Sequence, residues 1–141
     1  MAPKMSLKTQ VVGFNQYLTD VYGEDLRVST LLLRLGFSAE DVETVRATCL
    51  GPFLDDLLAA LAVQFAAGHD GTRLFDIVCR RYGLDGQEPA TLQQLADQYG
   101  ISRERIRQLE KKAVNRRRNS HQRDLLEQNM RNIARTHLTG Q

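Results

Sequence analysis

The sequence contains no tryptophan, and aromatic residues make up only 6% of its 141 residues. The interior is therefore expected to be packed mainly by aliphatic side chains, which a hydrophobic content of 42% is sufficient to supply. No apolar run reaches the roughly 20 residues that a membrane-spanning helix needs, and no segment resembles the apolar core of a signal peptide. These absences predict a soluble protein of the cytoplasm that does not bind membranes.

Cysteine and histidine are too few and too scattered to suggest a metal site. The two cysteines, Cys49 and Cys79, and the three histidines, His69, His121 and His137, show no spacing typical of metal ligands. The sequence also lacks a phosphate-cradling glycine loop and any motif for a catalytic nucleophile. We therefore expect reduced thiols, no metal or other cofactor, no catalytic residues, and a protein that is not an enzyme.

The formal net charge is only +2, but it is distributed unevenly along the chain. Residues 1–72 carry five basic and nine acidic side chains, whereas residues 73–141 carry 14 basic and eight acidic ones. This asymmetry indicates that the C-terminal half contacts a polyanion and that the N-terminal half does not.

Apolar residues recur at helical spacing along the whole chain, and no segment shows sustained strand-like alternation. The sequence therefore predicts an all-α protein. The short breaker Gly68-His69-Asp70-Gly71 is the best candidate boundary. It divides the chain into an N-terminal helical domain, residues 1–71, for dimerisation or partner binding, and a second domain, residues 72–141, that ends in a C-terminal helix.

Two apolar stripes raise the possibility of a homodimer. One runs from Phe53 to Phe65, and the other comprises Leu126, Met130 and Ile133. Stripes of this kind on helices are equally consistent with packing inside a single chain. The sequence leaves self-association and core packing open.

The segment from Thr91 to Arg118 has the pattern of a helix-turn-helix. Thr91 and Gln94 have the spacing of a capping box, in which the hydroxyl accepts a bond from an early backbone amide and the glutamine reaches back. Gly100 tolerates the positive φ that a tight turn between helices needs, and Ser102 can cap the second helix. A helical hairpin used only for protein contacts is the alternative.

A rotation of about 100° per residue separates two faces of the second helix. Ile106, Leu109 and Ala113 share the apolar face. The opposite face carries the polar side chains Glu104, Arg107, Gln108, Lys111 and Asn115. Arg103 and Arg105 flank this face near the N-terminus of the helix. Arginine, glutamine and glutamate can recognise base edges, whereas Lys111 and the run Arg116-Arg117-Arg118 are suited to phosphates. The pattern predicts that this helix binds double-stranded DNA.

The same segment resembles region 4 of the sigma-70 family of bacterial RNA polymerase sigma factors. The resemblance spans about Leu74 to Arg118 and is carried by Tyr82-Gly83-Leu84-Asp85-Gly86, by Glu88-Pro89-Ala90-Thr91-Leu92, and by the run from Gly100 to Ala113. It implies recognition of a promoter element, with base contacts from Arg103, Glu104, Arg107 and Gln108. It also implies phosphate contacts from Arg81, Thr91, Arg105 and Lys111, and binding of the polymerase β-flap by the apolar side of Leu74 to Tyr82.

The rest of a sigma factor is not recognisable in the sequence. Residues 1–72 have few aromatic residues and a net negative charge, whereas the promoter-melting region of the family is rich in aromatic residues. We therefore expect a sequence-specific transcription regulator that acts at the nucleoid without promoter-melting regions. The alternative is an RNA polymerase-binding accessory or competitor protein that acts through the β-flap.

Overall fold

The computed structural model describes residues 6–140, and this part of the chain contains eight α-helices and no strand. The all-α class that the sequence predicts is therefore confirmed. In chain order the helices are α1 (Leu7–Tyr22), α2 (Val28–Arg34), α3 (Ala39–Thr48), α4 (Leu50–Ala66), α5 (Gly71–Tyr82), α6 (Leu92–Tyr99), α7 (Arg103–Arg116) and α8 (Ser120–Leu138).

Local side-chain chemistry sets where several helices begin and end. At the start of α3, Ser38 Oγ accepts a hydrogen bond from the backbone N–H of Asp41 at 3.0 Å, and Asp41 Oδ2 accepts one from the N–H of Ser38 at 3.3 Å. Gly83 ends α5 with a φ of 72°, a conformation that glycine adopts without steric cost. These two helix ends are therefore specified by the local sequence.

The central helix of the core is α4, which packs against both α5 and α8. Its inner side chains, Phe53, Leu54, Leu57, Leu61 and Phe65, are at most 1% exposed. The largest fully buried side chains are aromatic: Tyr17, Phe14, Phe53 and Phe65. Most other buried side chains are aliphatic, as expected, but these four aromatic residues supply the largest side chains of the core.

The two apolar stripes considered for self-association are both used inside the chain. The stripe from Phe53 to Phe65 forms the centre of the core. On α8, Leu126 is 4% exposed and Met130 is 0% exposed, while Ile133 packs partly buried against the same core. Both stripes therefore pack mainly within the chain, which favours the core-packing alternative for them, and a homodimer stays a prediction.

Helix α1 joins the N-terminal helices to the helices that follow Gly71. The buried Gln10 donates from Nε2 to the backbone oxygen of Leu84 at 2.9 Å and to Asp55 Oδ1 at 3.1 Å. Buried side chains from both predicted domains form one continuous cluster. The division into domains of residues 1–71 and 72–141 stays a prediction.

Within residues 6–140, no single helix is both long and apolar enough to cross a membrane. Helices α3 and α4 reach that length and composition only when taken together, and the pair is bent by 95°. The same part of the chain brings together no group of three or more histidine, cysteine, aspartate or glutamate side chains that could hold a metal ion.

Candidate nucleic-acid interface

Helices α6 and α7 form the predicted helix-turn-helix, and its first helix begins with the predicted capping box. The Thr91 hydroxyl accepts a hydrogen bond from the backbone N–H of Gln94 at 3.1 Å. The Gln94 Oε1 atom accepts one from the N–H of Thr91 at 2.8 Å. Two early backbone amides are thereby satisfied, which fixes the start of α6.

The turn between the two helices also follows the predicted chemistry. Gly100 has a φ of 66°, and its backbone N–H donates to the carbonyl oxygen of Ala96. No atom lies within 4 Å of a Cβ placed on Gly100, so the backbone angle rather than crowding requires glycine there. Ser102 Oγ then accepts from the N–H of Arg105 at 3.0 Å and caps α7.

Buried apolar side chains fix which side of α7 faces outward. On α7, Ile106 and Ala113 are 0% exposed and Leu109 is 1% exposed. On α6, Ala96 is 4% exposed, and its single methyl group allows the two helices to approach closely. Helix α7 also packs against α5. The apolar face predicted from the helical period is therefore the face that lies in the core, and the polar face points away from it.

The four predicted base-reading residues are all exposed on the outer side of α7. Arg103 and Glu104 lie in its first turn, and Arg107 and Gln108 follow one turn later. The structure therefore brings all four together in the N-terminal half of the helix, which is the part of a recognition helix that contacts base edges. Their role in reading bases stays a prediction.

Glu104 and Arg107 bind each other in the protein without DNA. Arg107 Nε donates to Glu104 Oε2 at 2.9 Å, and Arg107 Nη2 donates to Glu104 Oε1 at 2.5 Å. This hydrogen bonding lowers the pKa of Glu104 and raises that of Arg107, so both groups remain charged at neutral pH. Because both side chains are largely exposed, the pair contributes little to stability. A DNA duplex can therefore separate the two groups at small cost.

An open groove along the outer side of α7 is lined by four cationic side chains and no acidic one. It extends from the base-reading residues toward the C-terminal end of the helix and is lined by Arg107, Gln108, Lys111, Lys112, Asn115 and Arg116. Such a surface is suited to the phosphate backbone. Lys111 was predicted to lie here, whereas Lys112 was missed. Its place directly after Lys111, at the edge of the polar face, was the signal that could have identified it.

The other residues predicted to contact phosphate differ in whether their side chains form hydrogen bonds or ion pairs within the protein. Thr91, Arg105 and Arg118 are exposed. Arg81 pairs with Glu110 through an Nε to Oε2 distance of 3.1 Å and donates to the carbonyl oxygen of Ala90. Arg116 donates from Nη1 to the carbonyl oxygen of His69 at 3.0 Å.

Arg117 lies in the core and not on the surface. It is 6% exposed, and its guanidinium carbon lies 4.0 Å from the centre of the Phe65 ring. Its Nη1 donates to Gln122 Oε1 at 3.1 Å. A side chain held in this way does not reach a phosphate outside the protein. The prediction that Arg117 contacts phosphate is therefore wrong, although its neighbours Arg116 and Arg118 remain candidates.

The apolar side of α5, which the resemblance assigned to binding of the β-flap, is covered within the chain. Leu74, Ile77 and Val78 are 0% exposed, and Cys79 is 8% exposed. Among the apolar residues of this helix, Phe75 remains half-buried at a groove that also contains Asp76 and Glu88. The apolar side of Leu74 to Tyr82 is therefore used mainly in the core, and binding of the β-flap by this helix stays a prediction.

Comparisons with known proteins identify the segment that carries this site. Residues 73–119 match the family described as Sigma-70, region 4. A relative, the RNA polymerase principal sigma factor HrdC of Streptomyces coelicolor, is 41% identical over 76 residues, which are 52% of this chain and 21% of that protein. The chain therefore spans about a fifth of the length of this curated relative. No solved structure matches the chain.

The matched segment begins in α5 and ends just after α7, and it contains the whole helix-turn-helix. The resemblance to sigma-70 region 4 that the sequence indicated is confirmed for these residues. Helices α1 to α4 lie outside the matched segment.

Proposed function

We propose that this protein is a sequence-specific DNA-binding regulator of transcription that reads promoter-type duplex DNA with α7. The observation that carries the proposal is the outer side of this helix, where Arg103, Glu104, Arg107 and Gln108 are exposed together beside a cationic groove. The sigma-70 region 4 match and the similarity to a sigma factor support transcription as the setting. A protein with this role would act in the bacterial cytoplasm at the nucleoid.

The exposed side chains divide into two chemical roles. Arg103 and Arg107 are suited to guanine, Gln108 to adenine, and Glu104 to the amino group of cytosine. Contacts to phosphates would set the position of the protein on the duplex and most of its salt-dependent affinity. We assign that second role to Arg81, Thr91, Arg105, Lys111, Arg116 and Arg118.

The N-terminal helices would hold this DNA-reading unit in place and bind a partner. Their attachment runs through α1 and α4, both of which pack against α5. Among residues 6–140, Val12 on α1 and Val63 on α4 are the most exposed large hydrophobic side chains, at 59% and 73%. The outer surfaces that carry Val12 and Val63 are available to bind another protein, whereas the apolar stripe of α4 is buried and is not available.

Selection of bound sequences from a random pool of DNA duplexes tests the proposal directly. We expect enrichment of a defined sequence, which then binds tighter than a scrambled duplex in a fluorescence anisotropy titration. Arg107→Ala should weaken binding to the selected duplex about tenfold and relax the preference at one or two base pairs. Lys111→Ala should weaken both duplexes equally and reduce the dependence of affinity on salt. Equal affinity of the wild-type protein for all duplexes would contradict the proposal.

A second candidate function is that of an accessory or competitor protein that binds RNA polymerase through the β-flap. It is favoured by the similarity to a protein named as a principal sigma factor of RNA polymerase. Since the apolar side of α5 is covered, contact would have to use Phe75 and the polar groove around it. Copurification of the protein with core RNA polymerase, and its loss in Phe75→Ala but not in Arg107→Ala, would support this function over DNA reading.

A further inference from the structure

A groove between α1 and α7 brings an N-terminal carboxylate beside the recognition helix. Asp20 from α1 and Tyr82 from α5 form one side of this groove. The other side belongs to α7 and consists of Arg107, Glu110, Lys111, Val114 and Asn115. Val114 is 8% exposed, and α1 packs directly against α7. Asp20 therefore shares a groove with one proposed base-reading residue and one proposed phosphate contact.

The Asp20 carboxylate is held in position by donors that do not neutralise its charge. The Tyr82 hydroxyl donates to Asp20 Oδ2 at 2.5 Å, and Gln16 Nε2 donates to Oδ1 at 2.9 Å. Burial, together with the hydrogen bond to Asp20, raises the pKa of Tyr82 well above its usual value, so this hydroxyl stays protonated and remains a donor. Within the described part of the chain, no ion pair joins Asp20 to a lysine or arginine.

We propose, on the premise of the proposed DNA binding by α7, that Asp20 weakens the affinity of the recognition helix for duplex DNA. A phosphate that approaches Lys111 enters the groove that Asp20 also lines, and the negative charges of the phosphate and of Asp20 repel each other. Asp20 lies on α1, far outside the segment that matches region 4. A helix from outside that segment would therefore lower the affinity of the helix-turn-helix for DNA in this chain. This restraint would act on all duplexes, because phosphates are present in every sequence.

The size of the effect follows from screened electrostatics. Two unit charges about 8 Å apart in water, screened by about 0.1 M salt, change a binding constant roughly 1.5-fold. Two nearby phosphates would therefore give about a twofold to threefold effect under those conditions. At about 0.01 M salt the screening length is longer, and the effect should rise to about fourfold.

Three substitutions separate the charge of Asp20 from its structural role. Asp20→Asn removes the charge but retains an oxygen that can accept from Tyr82. Tyr82→Phe removes the hydroxyl and leaves the carboxylate charged. Glu40→Gln is the matched control, because it changes the net charge by the same amount at an exposed position on α3, which packs against α2, α4 and α8. Thermal unfolding of each variant shows whether it is folded before DNA is added.

Affinity for the selected duplex and for a scrambled duplex of equal length is then measured across a range of salt concentrations. We expect Asp20→Asn to bind both duplexes about twofold to threefold tighter than wild type at about 0.1 M salt, with a gain that shrinks as salt rises. Glu40→Gln and Tyr82→Phe should show no such gain. Equal affinities of Asp20→Asn and Glu40→Gln, or weaker binding by Asp20→Asn, would overturn the role of Asp20 while DNA binding itself stands. Failure of the wild-type protein to bind any duplex would overturn the proposed function as well.

Discussion

Replacement of Gly13 by alanine should move α1 away from α5, the helix against which α7 of the helix-turn-helix also packs. Gly13 lies in the middle of α1 and faces the end of α5, where a Cβ would stand 2.2 Å from the carbonyl oxygen of Tyr82 and 3.1 Å from its carbonyl carbon. Ordinary contacts of this kind begin near 3.4 Å. Because both neighbours are backbone atoms and the core around them is close-packed, the two helices have to move apart by roughly 1 Å.

This displacement has a cost that can be stated from the contacts it disturbs. Overpacking of a close-packed core costs about 1–3 kcal/mol. The same movement loosens the hydrogen bonds from Gln10 Nε2 to Leu84 and from the Ser6 N–H to Gly86, at 2.9 and 2.8 Å, and each is worth about 1 kcal/mol. Alanine recovers about 1 kcal/mol through its higher helix propensity. We therefore expect a net loss of about 2 kcal/mol in the free energy of unfolding.

Circular dichroism during thermal and urea unfolding measures this loss. For a domain of this size, about 2 kcal/mol corresponds to a Tm lower by roughly 4–8 °C. Gly68→Ala is the control, since a Cβ placed on Gly68 stands 3.5 Å from its nearest neighbour, the carbonyl oxygen of Phe65, which is an ordinary contact. The control should be as stable as wild type or slightly more stable. If Gly13→Ala proves as stable as Gly68→Ala, the close approach of α1 to α5 is refuted.

Three further predictions follow from individual side chains. Arg117→Met should unfold at the wild-type temperature or higher, because burial lowers the pKa of this guanidinium and an apolar side chain avoids the cost of burying a charge. It should leave DNA affinity unchanged, whereas Arg118→Met at the adjacent exposed position should weaken binding to all duplexes. Ser102→Ala should lose the cap of α7 and cost about 1 kcal/mol in thermal unfolding, and Ser102→Asp should restore most of that loss. Burial raises the pKa of Cys79 to about 12. A thiol reagent at pH 8 should therefore modify Cys49 readily and Cys79 only after unfolding. Two rapidly reacting thiols in the folded protein would contradict the burial of Cys79.

The helix-turn-helix was predictable because its determinants lie within a few residues of one another. The capping box at Thr91, the positive φ at Gly100 and the cap at Ser102 each depend on hydrogen bonds that span three or four positions. The helical period then separates Ile106 from Arg107 without reference to any other part of the chain. For the same reason, the resemblance to region 4 could be recognised from a short run of residues.

What covers each surface could not be predicted in this way. The stripe on α8 and the apolar side of α5 were correctly identified as apolar, but periodicity does not show whether an apolar face meets the same chain or another protein. Leu74 and Met130 are buried by helices that lie far away in the sequence. Only the packing of the helices shows that both faces are used mainly in the core of this chain.

The sequence by itself determined the helices, their ends and the polar face of α7, since all of these follow from contacts between near neighbours along one helix. Only the tertiary structure decided which members of a uniform charge run reach solvent: Arg117 stacks on Phe65, while Arg118 stays exposed. It also decided that Asp20 lies in a groove with Arg107 and Lys111. Both outcomes depend on how distant helices pack, and helix packing is set by the fit of whole surfaces rather than by the spacing of residues in one segment.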